Sequence, residues 1–232
     1  MLHRWKIADD QYARHESRRG RRHAFDALDA ASTALVVVDM IPFFVDANPY
    51  ARGIVANITA LADAVRSAGG IVAWIVPASQ EPSAARREFL GASVAETYRT
   101  SGGDGPLRDR LWHELVVEHD DIVLAKSSPG AFLAGHCDLD ALLRRREVDT
   151  VIVAGTVANV CCESTVREAS ALGYRVIMVA DANAAVRDDE LNATLHTVYR
   201  SFGDVRTTDE TVELVRSGPA VGEWQGLSRE FR

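Results

Sequence analysis

Residues 150–172, TVIVAGTVANVCCESTVREASAL, combine a strand, a turn and a helix in one short stretch. The run 150–154 is apolar and β-branched, which is typical of a strand buried on both faces of a parallel sheet. Residues 162–172 have the spacing of an amphipathic helix. A buried strand that runs through a turn into a helix is the repeating unit of α/β folds.

The same alternation continues on both sides of this stretch. Further strands are predicted at 33–39, 71–76, 121–126 and 175–180, with a last short one near 203–205, and further helices at 53–68, 138–146 and 188–200. Apolar strands that alternate with amphipathic helices indicate a parallel sheet covered on both faces. We therefore predict a single three-layer α/β/α domain over residues 30–215, with a five- to six-stranded, mainly parallel sheet.

The two ends of the chain differ from this pattern. Residues 1–22 carry seven basic and three acidic residues without clear periodicity, and 1–29 are predicted to be a basic N-terminal arm. A basic arm on an acidic protein favours packing against a neighbouring subunit or the body of the chain over nucleic-acid binding. This indicates a homo-oligomer. Residues 216–232 contain several turn-forming residues and are predicted to be an irregular C-terminal tail.

Composition excludes several classes of protein. The 232 residues are 47% hydrophobic and 25% charged, as in ordinary globular proteins, and the net charge of −7 argues against a nucleic-acid binder. No apolar run approaches the length of a membrane span, and the N-terminus lacks the apolar core of a signal peptide. The three cysteines are too few for a disulfide framework. A cytoplasmic location without membrane partners is expected.

Three reactive residues lie where predicted strands end. Asp39 ends the first strand, Lys126 ends the third, and Cys161 follows the turn after the fourth. Because parallel strands bring their carboxyl ends to one edge of the sheet, we expect these side chains to share a site. Lys126 is one of only two lysines among 26 basic residues, so its ammonium is a candidate for a role that arginine cannot fill.

An acid, an amine and a thiol together can perform covalent acyl transfer. A thiolate is a strong nucleophile, and a helix N-terminus and a nearby ammonium are both expected to stabilise it. A carboxylate such as Asp39 can accept the thiol proton and later deliver it to a leaving amine. Backbone N–H groups of the turn 155–161 can face the oxyanion that forms. The combination predicts hydrolysis of a carbon–nitrogen bond.

Three segments resemble motifs of the isochorismatase-like cysteine hydrolases, a superfamily that includes nicotinamidases, N-carbamoylsarcosine amidase and ureidoacrylate amidohydrolases. They are VVVDM at 36–40, VLAK at 123–126 with Phe132 downstream, and GTVANVCCEST at 155–165, and the resemblance covers about residues 30–215. It implies that Asp39, Lys126 and Cys161 are the catalytic triad. It also implies a cis peptide at 156–157, an oxyanion hole formed by the N–H groups of Val157 and Cys161, and assembly into dimers or tetramers.

The chain departs from the motifs of this superfamily in ways that bear on its chemistry. Ile41 replaces the glutamine that many members have, and there is no Asp-x-His motif and no histidine between His23 and His113. A nicotinamidase-type metal site is therefore not expected, and no cofactor is predicted. True isochorismatases cleave a vinyl ether without needing the cysteine, so the intact Cys161 favours a small-molecule amide, carbamoyl or ureido substrate.

Three other functions stay open. They are a vinyl ether hydrolase of the isochorismatase type, a non-catalytic homologue used for binding or assembly, and a receiver-type signalling domain. The last would leave Cys161 idle and lacks an acidic pair beside Asp39. Phe43, Phe44 and Phe132 are the predicted pocket residues, because two of them follow Asp39 closely and the third belongs to the Lys126 motif. Cys162 is predicted to be a small core residue.

Overall fold

The computed structural model describes residues 1–218, and the remainder of the predicted tail lies outside the described residues. Its centre is a six-stranded sheet in which every neighbouring pair is parallel, in the order β3-β2-β1-β4-β5-β6. The strands are β1 (Thr33–Val38), β2 (Ile71–Pro77), β3 (Ile122–Lys126), β4 (Thr150–Thr156), β5 (Arg175–Ala184) and β6 (Asp204–Arg206). This confirms the predicted parallel sheet, with the higher number of strands.

Helices cover both faces of the sheet. They are α1 (Asp9–Arg19), α2 (Pro42–Val45), α3 (Pro49–Gly53), α4 (Val55–Ser67), α5 (Ala84–Leu90), α6 (Ala92–Thr100), α7 (Leu139–Arg145), α8 (Glu163–Ala171), α9 (Asp188–Ser201) and α10 (Thr208–Arg216). Successive β1 residues point to opposite faces, so Val36 packs in the apolar cluster of α7, α8 and α9, and Val37 in that of α4 and α10. The two clusters make the three-layer α/β/α sandwich that the sequence predicted.

The N-terminal arm contains a helix and packs on the body of its own chain. Asp9 and Asp10 lie in the first turn of α1, Arg18 and Arg19 in its last, so the charges favour the helix dipole. The helix ends at Gly20, which has the left-handed φ of +73° that glycine adopts without strain. The basic arm thus finds partners within its own chain.

The arm contacts α9 and the loop before it, and it also reaches Tyr50 of α3 and Asp204 of β6. The Tyr12 and Tyr199 rings meet edge to face at 5.2 Å, and the Tyr199 hydroxyl donates to the Arg22 carbonyl at 2.6 Å. Nearer the N-terminus, buried His3 accepts the Ala185 N–H at its Nε2 and bonds Asp188 through Nδ1 at 2.7 Å. The first residues of the chain are thereby attached at the carboxyl end of β5.

Candidate active site

Asp39 follows β1 directly and is held in an uncommon backbone conformation. Its φ is +54°, a left-handed value that aspartate tolerates better than most residues. Its N–H donates to the Ile75 carbonyl at 2.8 Å, which fixes the end of β1 against β2. The side chain is 1% exposed, so its carboxylate lies inside the protein at the carboxyl edge of the sheet.

Gly155 allows β4 to lie closely against β1 at the same edge. A Cβ at this position would be 2.1 Å from the Val38 carbonyl oxygen, and φ is +123°, so both space and conformation require glycine. The peptide bond between Thr156 and Val157, one residue further along the chain, is cis. The buried Asn183 amide donates to the carbonyls of Val153 and Val179, where the β4–β5 register shifts. These features shape the turn that leads to Cys161.

Cys161 lies in a single π-helical turn, Ala158–Cys162, that leads into α8. The residue is 9% exposed, whereas Cys162 is fully buried in the apolar cluster below α8. Thr165 donates its hydroxyl proton to the Cys161 carbonyl at 2.7 Å. The turn therefore leaves the Cys161 side chain at the rim of the core and places Cys162 inside it, as the sequence predicted for Cys162.

Lys126 forms a buried ion pair with Asp39. Its Nζ lies 2.8 Å from Asp39 Oδ2, and the two side chains are 4% and 1% exposed. Lys126 belongs to the edge strand β3, so its long side chain crosses the end of β2, where Pro77 is its register partner. Nζ also donates to the Ser128 carbonyl at 3.2 Å.

The ion pair changes the acidity of both partners. Burial raises the pKa of Asp39, although the charge of Lys126 and the thiol of Cys161 oppose the increase. Burial alone would lower the pKa of Lys126, but the charges of Asp39 and Cys161 outweigh it and raise that pKa above its ordinary value. The result is a carboxylate more basic than usual beside an ammonium that stays protonated.

Cys161 has a raised pKa, which favours the neutral thiol that the proposed role of a carboxylate base presupposes. Burial and then the negative charge of Asp39 raise the pKa of Cys161 to about 12, while Lys126 and a hydrogen bond from the Val157 backbone act in the other direction. The ammonium of Lys126 favours the thiolate, as the sequence predicted, but burial and the carboxylate have the larger effect. Ionisation of Cys161 therefore requires a base, and Asp39 is the neighbouring candidate.

The aromatic residues predicted to line a pocket occupy two different environments. Phe43 is 38% exposed, its ring meets Phe44 edge to face at 4.9 Å, and its centroid is 6.0 Å from that of Tyr98 on α6. Phe132, in contrast, is 3% exposed and packs on Tyr174 within the core. The Phe132 backbone N–H donates to Glu168 Oε2 at 2.9 Å.

Sequence reasoning missed two kinds of contact around the site. The backbone N–H of Trp112 donates to the Met40 carbonyl at 2.8 Å, which ties the loop before β3 to the residue after Asp39. Thr165 and Glu168 connect α8 to the loop after β3. The spacing of Thr165 and Glu168, four and seven residues after Cys161, places them on its face of the helix and was the available signal.

Residues 1–218 hold no group of three or more His, Cys, Asp or Glu side chains placed to bind a metal ion. Over the same range, no helix combines the length and apolar character that a membrane span requires.

Comparison with known proteins identifies relatives along most of the chain. The isochorismatase domain family matches residues 33–210. An uncharacterized isochorismatase family protein of Bacillus subtilis, YwoC, is 33% identical over 193 residues, which are 82% of this chain and 97% of YwoC. The ureidoacrylate amidohydrolase RutB of Variovorax paradoxus is 28% identical over 217 residues, covering 80% of this chain and 82% of RutB.

Solved structures of similar fold include a cysteine hydrolase and an amidase. A cysteine hydrolase from Pseudomonas syringae pv. phaseolicola superposes with a TM-score of 0.74 at 28% identity, over 84% of this chain and 97% of the other. An N-carbamoylsarcosine amidase from Thermoplasma acidophilum has a TM-score of 0.61 at 27% identity, over 77% and 97% of the two chains.

Proposed function

The chain belongs to the isochorismatase family, and on that premise we propose that it is a cysteine-dependent amidohydrolase of a small amide, carbamoyl or ureido compound. The observation that carries the proposal is the buried Lys126–Asp39 ion pair at the same sheet edge as Cys161. A carboxylate of raised pKa beside a neutral thiol is suited to remove the thiol proton. The similarity to RutB and to N-carbamoylsarcosine amidase supports cleavage of a C–N bond.

The first half of the reaction forms a thioester. Asp39 takes the proton of Cys161 as the sulfur attacks the carbonyl carbon, and a new C–S bond forms while the carbonyl oxygen becomes an oxyanion. In this proposal the N–H groups of Val157 and Cys161 stabilise that oxyanion, at about 3 kcal/mol for each donor. The C–N bond then breaks, and Asp39 returns its proton to the departing nitrogen.

The second half releases the acyl group to water. Asp39 takes a proton from a water molecule while the oxygen of that water attacks the thioester carbon. The C–S bond breaks, the proton returns to Cys161, and the acid leaves. Lys126 remains protonated throughout, because the charges of Asp39 and Cys161 raise its pKa. Its part is to keep the carboxylate oriented and to balance the negative charge that passes between Asp39 and the sulfur.

A vinyl ether hydrolase of the isochorismatase type is the second candidate, since the family match covers that activity as well. The placement of Cys161 favours the amidohydrolase, because vinyl ether cleavage needs no thiol nucleophile. A non-catalytic homologue would have no use for a buried ion pair beside a thiol, since burying two charges is energetically expensive. Homo-oligomerisation and a cytoplasmic location remain proposals that accompany this function.

Ammonia release tests the proposal. The purified chain is offered nicotinamide, N-carbamoyl compounds, maleamate and ureidoacrylate, beside its Cys161→Ala and Cys162→Ala variants. We expect turnover of at least one substrate, its loss in Cys161→Ala, and its retention in Cys162→Ala, because Cys162 is fully buried below α8. Turnover that survives in Cys161→Ala and is lost in Cys162→Ala would show that the nucleophile was assigned to the wrong cysteine.

A further inference from the structure

A polar connection joins α8, the helix that follows the Cys161 turn, to the loop that follows Lys126. We call this loop, residues 127–132, the Lys126 loop. Thr165 and Glu168 lie on α8, four and seven positions after Cys161, which belongs to the π-helical turn that leads into this helix. Both of these polar side chains contact the Lys126 loop, and neither has a part in the proposed chemistry.

The contacts on the helix side are hydrogen bonds to backbone groups. The Thr165 hydroxyl donates to the Cys161 carbonyl at 2.7 Å and accepts the N–H of Ala131 at 3.2 Å. Glu168 Oε2 accepts the N–H of Phe132 at 2.9 Å. Two successive peptide groups of the loop are therefore held by α8, one of them through a charged acceptor, which makes the stronger kind of hydrogen bond.

Gly130 gives the Glu168 carboxylate the space it occupies. A Cβ on Gly130 would lie 2.2 Å from Glu168 Oε2 and 2.3 Å from Cδ and Oε1, closer than any stable contact. A side chain at 130 would therefore displace the Glu168 carboxylate from its present position. The loop and the side chain fit each other as one unit.

At its other end the loop contacts the ammonium of Lys126. Lys126 Nζ donates to the Ser128 carbonyl at 3.2 Å, and the Ser128 hydroxyl donates to the Gly130 carbonyl at 2.7 Å. The ammonium therefore has two anchors, Asp39 on one side and the Ser128 carbonyl on the other. The position of the second anchor depends on the residues that Glu168 holds.

We propose that Glu168 is a positioning residue that acts through the Lys126 loop to hold the Lys126 ammonium against Asp39 and Cys161. Thr165 supports the same loop from the Cys161 carbonyl. The expected effects on kcat and KM rest on the proposed function. The expected effect on the alkylation of Cys161 does not.

Release of the loop should change the acidity of the site. The charge of Lys126 lowers the pKa of Asp39 and that of Cys161. An ammonium that moves away therefore lets both values rise. Because the proposed reaction needs ionised Asp39, the acid limb of kcat/KM should move to higher pH, and thiolate-dependent alkylation of Cys161 should slow at a fixed pH.

The test compares Glu168→Ala with Glu168→Gln and with Glu163→Gln. Glu163 is a carboxylate on the same helix, but it bonds Arg167 and Thr194 and leaves the loop untouched. In Glu168→Ala we expect kcat to fall at least ~10-fold with little change in KM, and the acid limb to rise. Glu168→Gln keeps an acceptor oxygen and should restore most activity, and Glu163→Gln should match the wild type in both readouts.

Iodoacetamide labelling of Cys161, located by peptide mass spectrometry, gives a readout without substrate. Glu168→Ala should slow labelling in the wild-type background. In a Lys126→Met background it should change the labelling rate less than about 2-fold, because interacting sites are non-additive. Gly130→Ala, which drives a methyl group into the carboxylate, should slow labelling in the same way. If Glu168→Ala slows the labelling of Cys161 by the same factor in the wild-type and Lys126→Met backgrounds, the inference is overturned. If the chain hydrolyses no amide, but the effect of Glu168→Ala on labelling still depends on Lys126, only the proposed function is refuted.

Discussion

The acidity of a single thiol distinguishes this site from one with a preformed thiolate. A pKa of about 12 keeps Cys161 protonated at neutral pH, since burial and the charge of Asp39 outweigh the effect of Lys126. In the proposed reaction the nucleophile forms only as the Cys161 proton moves to Asp39.

The pH dependence of alkylation tests the raised pKa of Cys161. Because ordinary cysteines ionise near pH 8.5, a normal thiol reaches its full rate of alkylation by about pH 10. The rate for Cys161 should still be rising there. Asp39→Asn removes the second largest cause of the raised pKa, so it should accelerate alkylation at pH 8 even though it abolishes turnover. A plateau near pH 8 in the unaltered chain would contradict the neutral thiol.

Lys126→Arg should be severe although it conserves charge. Lys126 reaches Asp39 from an edge strand across the end of β2, and both side chains are buried. A planar guanidinium is larger and would make a bidentate fork with Asp39, lowering its pKa and its strength as a base. A displacement of ~1 Å at the reacting atoms can cost on the order of 100-fold.

The measurement is kcat/KM for Lys126→Arg beside Lys126→Ala on the best substrate of the ammonia panel. A loss greater than about 10-fold, or ~1.4 kcal/mol, is expected for the arginine variant. If Lys126→Arg keeps more than a tenth of the activity, Lys126 supplies only a positive charge.

At the scale of elements, the N-terminal arm is part of the folded body. Its aromatic and histidine contacts reach α9 and the loop before it. Deletion of residues 1–22 should therefore expose Tyr199 and lower Tm by several degrees, because a loss of 1 kcal/mol shifts Tm by about 2–4 °C in a domain of this size. Light scattering of the same variant shows whether the arm also joins subunits. An unchanged Tm would mean that the arm contributes nothing to stability.

Some elements could not be predicted from periodicity, for physical reasons. Only His15 of α1 is buried, so α1 lacks an apolar stripe and is supported by its terminal charges. The last four residues of β5 include Asp181 and Asn183, which suggest a turn, yet Asn183 is buried because its amide satisfies two backbone carbonyls. The capping box of Thr207 and Glu210 was a usable signal for α10 that hydrophobic spacing alone did not supply.

At the scale of the molecule, the strand order explains why the residues of the candidate site lie at one sheet edge, as the sequence predicted. The order β3-β2-β1-β4-β5-β6 reverses between β1 and β4, and ligands bind at such a switch point beside the carboxyl ends of the strands. Asp39 and the Cys161 turn follow those two strands, so topology alone brings them together. The acidity of the thiol and the contacts of Glu168 depend on burial and loop packing, which strand ends do not specify.

Metal independence is a prediction for the whole enzyme. The sequence lacks the Asp-x-His motif of nicotinamidases and has no histidine between His23 and His113. Turnover should therefore survive exhaustive treatment with EDTA and phenanthroline. Stoichiometric zinc or iron whose removal abolishes turnover, and whose return restores it, would refute this.

The covalent intermediate offers the most direct measurement. The enzyme is mixed with the best substrate of the panel, quenched in acid within the first turnovers and digested, and the Cys161 peptide is weighed by mass spectrometry. We predict a mass increase equal to the acyl group of the substrate on Cys161, present in the wild type and absent without substrate or in Cys161→Ala. Continued ammonia release by Cys161→Ala at the wild-type rate, with no adduct on any wild-type peptide, would contradict nucleophilic catalysis by Cys161.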